Sequence, residues 1–347
     1  MTERRLYLDA SHGERRGVVT LDGRPERLLI ERDGSPTAQA LGARSVARVR
    51  KIERASGLAF LELSEGDDAV LNLTPEHGRL VEGQALEVEI RTEARTGKGA
   101  SVRLVAEAEG RPRLLAPAPS LEESLLHYLP GGDIRTDGVA RSVADGAQDD
   151  VLQTVFSIPG GGSIAIESTR ALTAVDVDLG GRPGGEAKRV ARAANFAAIG
   201  VAARLLRLKG LGGLVVIDLV GRGHDGPALL SAARQAFGPD NPGVTLGAIS
   251  RFGALELIVP RRARPAMDIL TRDGHVPSVL TQALALVRAI EREAQADGGG
   301  RFAGLSSIAV AEAAQPALAS LIAILGARVT VRGEDVRQDG SFEVVQA

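Results

Sequence analysis

Two short apolar runs near the middle of the chain each end in a carboxylate. They are residues 171–178, which read ALTAVDVD, and residues 214–218, which read LVVID. Runs of this kind between glycines are typical of buried strands. Residues 186–208 between them predict one helix, with an apolar stripe at Val190, Ala194, Ala197, Val201, Leu205 and Leu208.

A strand, a helix and a second strand form a crossover unit, so the two strands are expected to lie parallel and close together. Asp176 and Asp218 would then converge at the edge where open α/β sheets place their sites. Converging carboxylates repel each other unless they are partnered. Hard oxygen ligands suit Mg²⁺, which usually takes only one or two carboxylates and keeps several waters. Spacing alone leaves a second interpretation open, in which the aspartates are helix N-caps or partners of nearby arginines.

The first hundred residues have the alternation and turn signals of β-structure. Residues 17–21 and 27–31 flank a turn at residues 22–25 and predict a β-hairpin. Five short strands follow between residues 44 and 104, which predict a small barrel of the OB type. Its first strand is basic, which fits either RNA binding or a solvated charged face.

The rest of the chain alternates helices and strands. Residues 105–125 are Pro-rich and predict a linker, and Ser120 with Glu123 forms a capping-box pattern that opens a short helix to Leu129. After residue 265 the pattern predicts a helix over 278–296, a strand over 305–310, a helix over 314–325 and two last strands.

Composition limits the choice of chemistry. The 347 residues include no cysteine, which excludes disulfides and thiolate metal sites. The net charge is −2, so any nucleic-acid binding would depend on local basic patches. No signal-peptide core and no run approaching a membrane span are recognised, so a cytoplasmic location and no membrane partner are expected. The sequence shows neither a nucleotide-binding P-loop nor a Ser/His nucleophile pattern. The glycines of residues 180–185 precede a helix and could receive a phosphate, although they match no dinucleotide fingerprint.

Residues 161–253 resemble the catalytic region of the ribonuclease E/G family. That family has GGSIVIxxTEALTAIDINSG, then QLRLRDLGGLIVIDFID and later ISRFGLLE. This chain has GGSI at 161–164, ALTA at 171–174, LGGL at 211–214, VID at 216–218 and ISRFG at 249–253. About a hundred residues match in order, which is far more specific than a single glycine motif.

The resemblance implies roles for particular residues. The family aspartates that match Asp176 and Asp218 hold a catalytic Mg²⁺, and Asp178 and Asn195 are candidates to lie just outside the ion's ligands and orient them. Asp178 replaces a family asparagine, and Gly221 replaces the second aspartate of IDFID. Phe60 and Lys98 match RNA-contacting positions of the family's barrel, although Phe60 is equally well a core residue. Arg251 is expected to support RNA or the fold beside the site.

The resemblance also implies the domain plan. We expect an α/β multidomain chain with a reduced ribonuclease H-like segment (1–43 and 105–160), an OB-type RNA-binding barrel (44–104), a catalytic α/β domain with a DNase I-like subdomain (161–265) and a small C-terminal α/β domain (266–347). Arg135 and Thr136 resemble the family's 5′-monophosphate pocket, but Arg135 lies too near Gly161 in sequence. The 5′-sensor domain is therefore expected to be missing. A homo-oligomer would have to form without the family's cysteine zinc site.

Three functions remain open from the sequence. The leading one is a Mg²⁺-dependent endoribonuclease that cuts single-stranded RNA. The second is an RNA-binding relative with weakened catalysis, as the changed carboxylates would suggest. The third is a metal-dependent phosphoesterase that acts on another substrate, which the scarcity of aromatic residues would fit.

Overall fold

The computed structural model describes residues 3–95, 97–181, 186–238, 241–272, 274, 276–335, 337 and 340–347. Within these residues the strands form four sheets and one two-stranded ribbon. Every sheet has helices or a closed barrel interior on at least one face.

The N-terminal sheet has the strand order β10-β1-β2-β3. Its strands are β1 (Arg4–Ser11), β2 (Glu14–Leu21), β3 (Arg24–Arg32) and β10 (Ile134–Arg135). The predicted hairpin is confirmed, and its turn holds Asp22 at φ 50°. One face packs against helix α1 (Leu121–Leu126), where Leu6, Leu8 and Val19 are buried. The predicted capping box is also confirmed, since Ser120 Oγ accepts from the Glu123 amide at 3.1 Å and the Glu123 carboxylate accepts from the Ser120 amide at 2.8 Å. This helix ends at Leu126, three residues before the predicted end.

Five strands close into a barrel inserted between β3 and α1. They pair in the order β5-β6-β8-β7-β4, and β4 also pairs with β5 to complete the ring. The barrel sheet comprises β4 (Arg44–Glu53), β5 (Leu58–Glu62), β6 (Ala69–Asn72), β7 (Ala85–Thr92), β8 (Ser101–Glu107) and β9 (Arg113–Ala116). The prediction of a linker over residues 105–125 is wrong in part, because β8 continues to Glu107 and β9 pairs with β4.

The central sheet carries the two aspartates and has the order β11-β12-β13-β14-β16-β15. Its strands are β11 (Val155–Ser157), β12 (Ser163–Ser168), β13 (Thr173–Asp178), β14 (Gly213–Asp218), β15 (Thr245–Ile249) and β16 (Ala254–Val259). The parallel pairing of β13 with β14 confirms the crossover unit. The expectation of fully buried strands is wrong, because in β13 and β14 buried and more accessible residues alternate and only one face joins the core.

Helices fill the space between the N-terminal and central sheets. They are α2 (Gly138–Leu152), α3 (Ala187–Lys209), α4 (Gly226–Phe237) and α5 (Ala266–Leu270), and all four contribute to one large core. The predicted apolar stripe of α3 is only half right. Val190, Ala197 and Val201 are partly exposed, and the buried stripe instead runs through Ala191, Ala198 and Ala202 because alanine allows close contact with both neighbouring sheets.

The C-terminal part has its own core. It contains the ribbon β17 (Thr271–Arg272) and β18 (Val276–Pro277), helices α6 (Val279–Ala296) and α7 (Ile308–Leu325), and the sheet β19 (Phe302–Ser306), β20 (Val329–Gly333) and β21 (Glu343–Gln346). The predicted order is confirmed, but residues 307–310 begin α7 instead of ending a strand. Contrary to the sequence expectation, one helix in the described part of the chain, Ile308–Arg328, is long and apolar enough to cross a membrane, although a third of it is buried here.

Candidate functional site

Asp176 and Asp218 lie directly opposite each other on β13 and β14. Neighbouring strands are about 4.8 Å apart, so the two carboxylates share one short row of the sheet. Both side chains are exposed, whereas Val175, Val177 and Ile217 point to the core face. The sequence prediction that these two aspartates converge is therefore confirmed, with the difference that they stand on the open face of the sheet.

The row that contains the two aspartates is flanked by small side chains. Ala165 of β12 pairs with Asp176, and Ala254 of β16 pairs with Asp218. An Ala-Asp-Asp-Ala row across four strands leaves both carboxylates uncovered from either side. Two adjacent carboxylates with open space around them fit Mg²⁺, which keeps most of its waters when protein-bound.

Asp178 is exposed one row further along β13, where it pairs with Ser163. Its Oδ1 accepts a hydrogen bond from the Gly180 amide at 3.0 Å, so it supports the turn after the strand. No group of three or more His, Cys, Asp or Glu able to hold one ion occurs among the residues that the structure describes. Within this part of the chain Asp178 does not complete a three-carboxylate site.

Asn195 is buried in α3 and holds the chain just beyond Asp218. Its side-chain nitrogen donates to the Val220 carbonyl, and its oxygen accepts from the Val220 amide, both at 3.0 Å. This two-point contact fixes the end of β14 to the helix. Asn195 therefore positions Asp218 indirectly, by holding the backbone of Val220 two residues further on. The sequence spacing did not suggest this backbone partner.

A tight turn between β15 and β16 adjoins the aspartate row. The Leu219 amide donates to the Gly253 carbonyl at 3.2 Å, which ties this turn to the residue after Asp218. Arg251 and Phe252 are exposed on the turn, and the Arg251 guanidinium lies 4.7 Å from the centre of the Phe252 ring. The sequence analysis selected Arg251 and missed Phe252, although the ISRFG match contained both.

The loop after β14 also reaches this turn. His224 Nε2 is 3.0 Å from where a Cβ on Gly253 would stand, so the loop and turn are in close contact. Arg222 is exposed in the same loop, and Arg192 of α3 pairs with Asp225 at 3.2 Å. The loop that follows Asp218 therefore carries Arg222 and is paired with Arg192 of α3. The phosphate site expected at residues 180–185 lies largely outside the described residues, which exclude 182–185.

Phe60 lies on the outer surface of the barrel, and the turn that carries Lys98 approaches Val70, the strand partner of Phe60. Ala59 and Leu61 face the barrel interior, so Phe60 points outward and is half-buried. It pairs with Val70, and a Cβ on Gly99, next to Lys98, would lie 3.8 Å from the Val70 side chain. Lys98 itself is exposed on a tight turn with Arg95.

The barrel docks at the far end of the strands that carry the aspartate row. The Glu93 amide donates to the Arg262 carbonyl at 2.8 Å, and its carboxylate accepts from the Arg264 amide at 2.7 Å. Residues 261–264 follow Val259, which pairs with the first residue of β14, whereas Asp218 is the last. Five residue steps separate these ends, about 17 Å at the strand rise. The docking contact of the barrel therefore lies away from the aspartate row.

Several other basic residues have local structural partners. Arg135 pairs with Asp137 at 2.8 Å, and on the barrel Arg50 pairs with Asp68 at 3.3 Å. Arg261 lies against Gly213 and donates to the Gly212 carbonyl. Burial lowers the pKa of Arg261, and the charge of nearby Arg95 lowers it further.

Comparison with known proteins identifies the region that contains the site. The model of the Ribonuclease E/G family matches residues 140–262, which run from α2 to the docking segment of the barrel. This region belongs to the ribonuclease E/G family. It includes both aspartates, Asn195 and the Phe252 turn.

Individual members of the ribonuclease E/G family match stretches of different lengths. Ribonuclease E of Escherichia coli K12 is 33% identical over 156 residues, which cover 42% of this chain and 15% of that protein. Ribonuclease G of Salmonella typhimurium is 28% identical over 208 residues, or 56% of this chain and 42% of its own length. A putative ribonuclease E of Buchnera aphidicola from Baizongia pistaciae is 37% identical over 111 residues. The chain thus spans less than half the length of these relatives.

Proposed function

We propose that this chain is a Mg²⁺-dependent endoribonuclease that cuts single-stranded RNA. The observation that carries the proposal is the in-register pair Asp176 and Asp218 on the open face of the central sheet, within the residues 140–262 that match the family. The names of the matched relatives, ribonuclease E and ribonuclease G, supply the reaction class. A DNase I-like character for this subdomain and a cytoplasmic location belong to the same proposal.

The aspartate pair is the proposed metal site. Mg²⁺ bound by Asp176 and Asp218 would supply a Lewis acid for the phosphodiester and a water activated for attack. Asn195 holds Val220 and so keeps the end of β14 in place, while Asp178 closes the turn after β13. Arg222 and Arg251 offer positive charge to the RNA backbone.

The barrel is the proposed second contact for RNA. Its outer surface presents Phe60 beside the Lys98 turn, a half-buried aromatic next to a cation, which is the combination used for single strands. Because the barrel docks at the end of β14 opposite to the aspartate row, only an extended strand would contact both the barrel surface and the aspartates. We propose that this geometry favours single-stranded RNA over compact duplex.

The decisive experiment is cleavage of a fluorescent A/U-rich single-stranded RNA with Mg²⁺. Asp176→Asn and Asp218→Asn should each reduce cleavage by at least ~100-fold while RNA binding and folding are retained. Glu167→Gln is the matched control, since Glu167 is an exposed carboxylate on β12 opposite Ala174. Equal loss in all three variants would contradict the metal assignment.

A second candidate, an RNA-binding relative with weakened catalysis, is favoured by one observation. Asp178 adds a third negative charge near the site where the family has asparagine, yet it bonds the Gly180 amide instead of joining the pair. Wild-type protein that binds the RNA but does not cut it at any Mg²⁺ or Mn²⁺ concentration would establish this second function.

A further inference from the structure

We propose that Phe252 forms a nucleobase-stacking subsite beside the aspartate pair, with Arg251 as its phosphate-side partner. The ligand is one unpaired base of single-stranded RNA. The inference deepens the proposed function and rests on it for the identity of the ligand. It assigns Phe252 as a substrate-positioning residue.

Phe252 is exposed to an extent unusual for its type. Its side chain is 80% exposed, and it is the most exposed of the seven phenylalanines. Phe156, Phe237 and Phe302 are all buried to 7% exposure or less. An aromatic ring left in water next to a candidate site has an unsatisfied apolar surface that a flat ligand can cover.

The ring is presented by a fixed turn. The Ser250 hydroxyl accepts from the Phe252 amide at 3.3 Å and from the Ala254 amide at 3.2 Å. Gly253 has φ +93° and donates to the Ser250 carbonyl at 3.0 Å, a conformation that strongly favours glycine. These three hydrogen bonds within five residues fix the backbone that carries the ring before any ligand arrives, which lowers the entropy lost on binding.

The position of the turn explains what the ring would do. Ala254, two residues after Phe252, is the strand partner of Asp218. A base stacked on Phe252 would therefore anchor a nucleotide next to the carboxylate row, because Phe252 is only two residues from the strand partner of Asp218. The guanidinium 4.7 Å from the ring centre strengthens the aromatic platform by a cation–π contact and places a cation where the phosphate of that nucleotide would pass.

The absence of tryptophan from the chain permits a direct test. Phe252→Trp introduces a single indole at the proposed platform, and its emission is followed while unlabelled A/U-rich RNA is added without divalent metal. Stacking predicts strong quenching that saturates with RNA, and little quenching by an RNA of equal length made of abasic residues. Inorganic phosphate at the same ionic strength should also leave the emission unchanged.

A second set of variants measures the contribution to affinity. Phe252→Ala should weaken RNA binding and raise KM by roughly ten- to a hundredfold, the range expected for one stacked base, with a smaller change in kcat. Phe252→Tyr should restore wild-type behaviour because it keeps the ring. Phe342→Ala is the matched control, as Phe342 is also exposed, at 37%, but lies in the C-terminal part.

The outcomes separate this inference from the proposed function. Quenching by normal RNA in a protein that does not cut RNA supports the subsite and removes the nuclease proposal. Emission that stays unchanged at RNA concentrations where anisotropy shows a complex overturns the subsite. Emission that changes with protein concentration and not with RNA overturns it too, because the ring would then be covered by a second copy.

Discussion

Lys209 shows how much one buried residue can do for the fold around the site. Lys209 is 1% exposed, and its ammonium donates to three carbonyls at the end of α2, those of Asp150 at 3.1 Å, Val151, and Gln153 at 2.6 Å. Burial lowers the pKa of Lys209 to about 8, while nearby Asp150 opposes and Arg204 adds to that effect. One side chain at the end of α3 thus caps the neighbouring helix.

Replacing Lys209 by methionine should lower the free energy of unfolding by about 3 kcal/mol near pH 7, since buried carbonyls lose their donor. The loss should depend on pH. The folded pKa lies below the ordinary 10.5, so between pH 8 and 10.5 the unfolded chain binds more protons and the wild type gains stability as pH rises. The difference between wild type and Lys209→Met should therefore grow from pH 8 to 10 by about 1 kcal/mol per unit, measured by urea unfolding.

Lys188→Met is the control for that experiment, because Lys188 is an exposed residue in the first turn of the same helix. It should change stability by less than about 0.5 kcal/mol at every pH. A difference between wild type and Lys209→Met that stays flat from pH 8 to 10 would show that Lys209 keeps its ordinary pKa.

At the scale of elements, the crossover rule accounts for what the sequence could reveal. Two apolar runs joined by a helix predict parallel neighbours, and the structure adds only the register that sets Asp176 opposite Asp218. The rule could not identify the open face, because periodicity in a six-residue strand does not distinguish one covered face from two. It also could not find Asn195 or Lys209 as anchors. Their partners are backbone groups 25 and up to 59 residues away, which have no side-chain signature.

The paired aspartates predict a response of stability to metal. Without divalent ions, two carboxylates on adjacent strands repel by about 1 kcal/mol, so the double variant Asp176→Asn with Asp218→Asn should be at least as stable as the wild type. Mg²⁺ at ten times its dissociation constant should stabilise the wild type by about 1.4 kcal/mol and leave the variant unchanged. Thermal unfolding with EDTA and then with a Mg²⁺ series measures both effects. An equal rise in Tm for both proteins would place the ion elsewhere.

At the scale of the whole molecule, a buried ionic network joins the N-terminal sheet to the C-terminal part. Glu14 is 1% exposed and pairs with Arg288 of α6 at 2.9 Å and with Arg32 at 2.7 Å. Arg16, fully buried, bonds Asp9 at 2.6 Å. Burial opposes ionisation of Asp9, but the Arg16 guanidinium holds the pKa of that carboxyl below its usual range. The network thus joins Glu14 of the N-terminal sheet to Arg288 of α6, which lies 274 residues away in sequence.

Contacts between apolar groups reinforce the same junction. A Cβ on Gly13, at the β1–β2 turn with φ +79°, would lie 2.9 Å from Leu284 and 3.2 Å from Ala317. The hairpin tip therefore sits directly against α6 and α7. Sequence patterns do not predict this arrangement, because charged residues in short strands are normally expected to face solvent. The network binds the C-terminal part to the sheet that packs against α2 and α3, and α3 supplies Asn195 beside the candidate site.

Glu14→Gln tests whether the network holds the two parts together. The substitution keeps the shape and leaves Arg32 and Arg288 buried without their carboxylate, which should cost about 3–5 kcal/mol of unfolding free energy. Burial and the charge of Arg16 lower the pKa of Arg288, whereas Glu14 raises it. Loss of the Glu14 charge would therefore destabilise the Arg288 cation further. Glu122→Gln is the control, since Glu122 pairs with Arg15 at the surface and its substitution should cost less than about 1 kcal/mol.

Limited proteolysis should then cut Glu14→Gln first between α5 and β19, where the C-terminal part would separate. Equal stability losses in the two variants would show that the buried charges contribute no more than a surface pair.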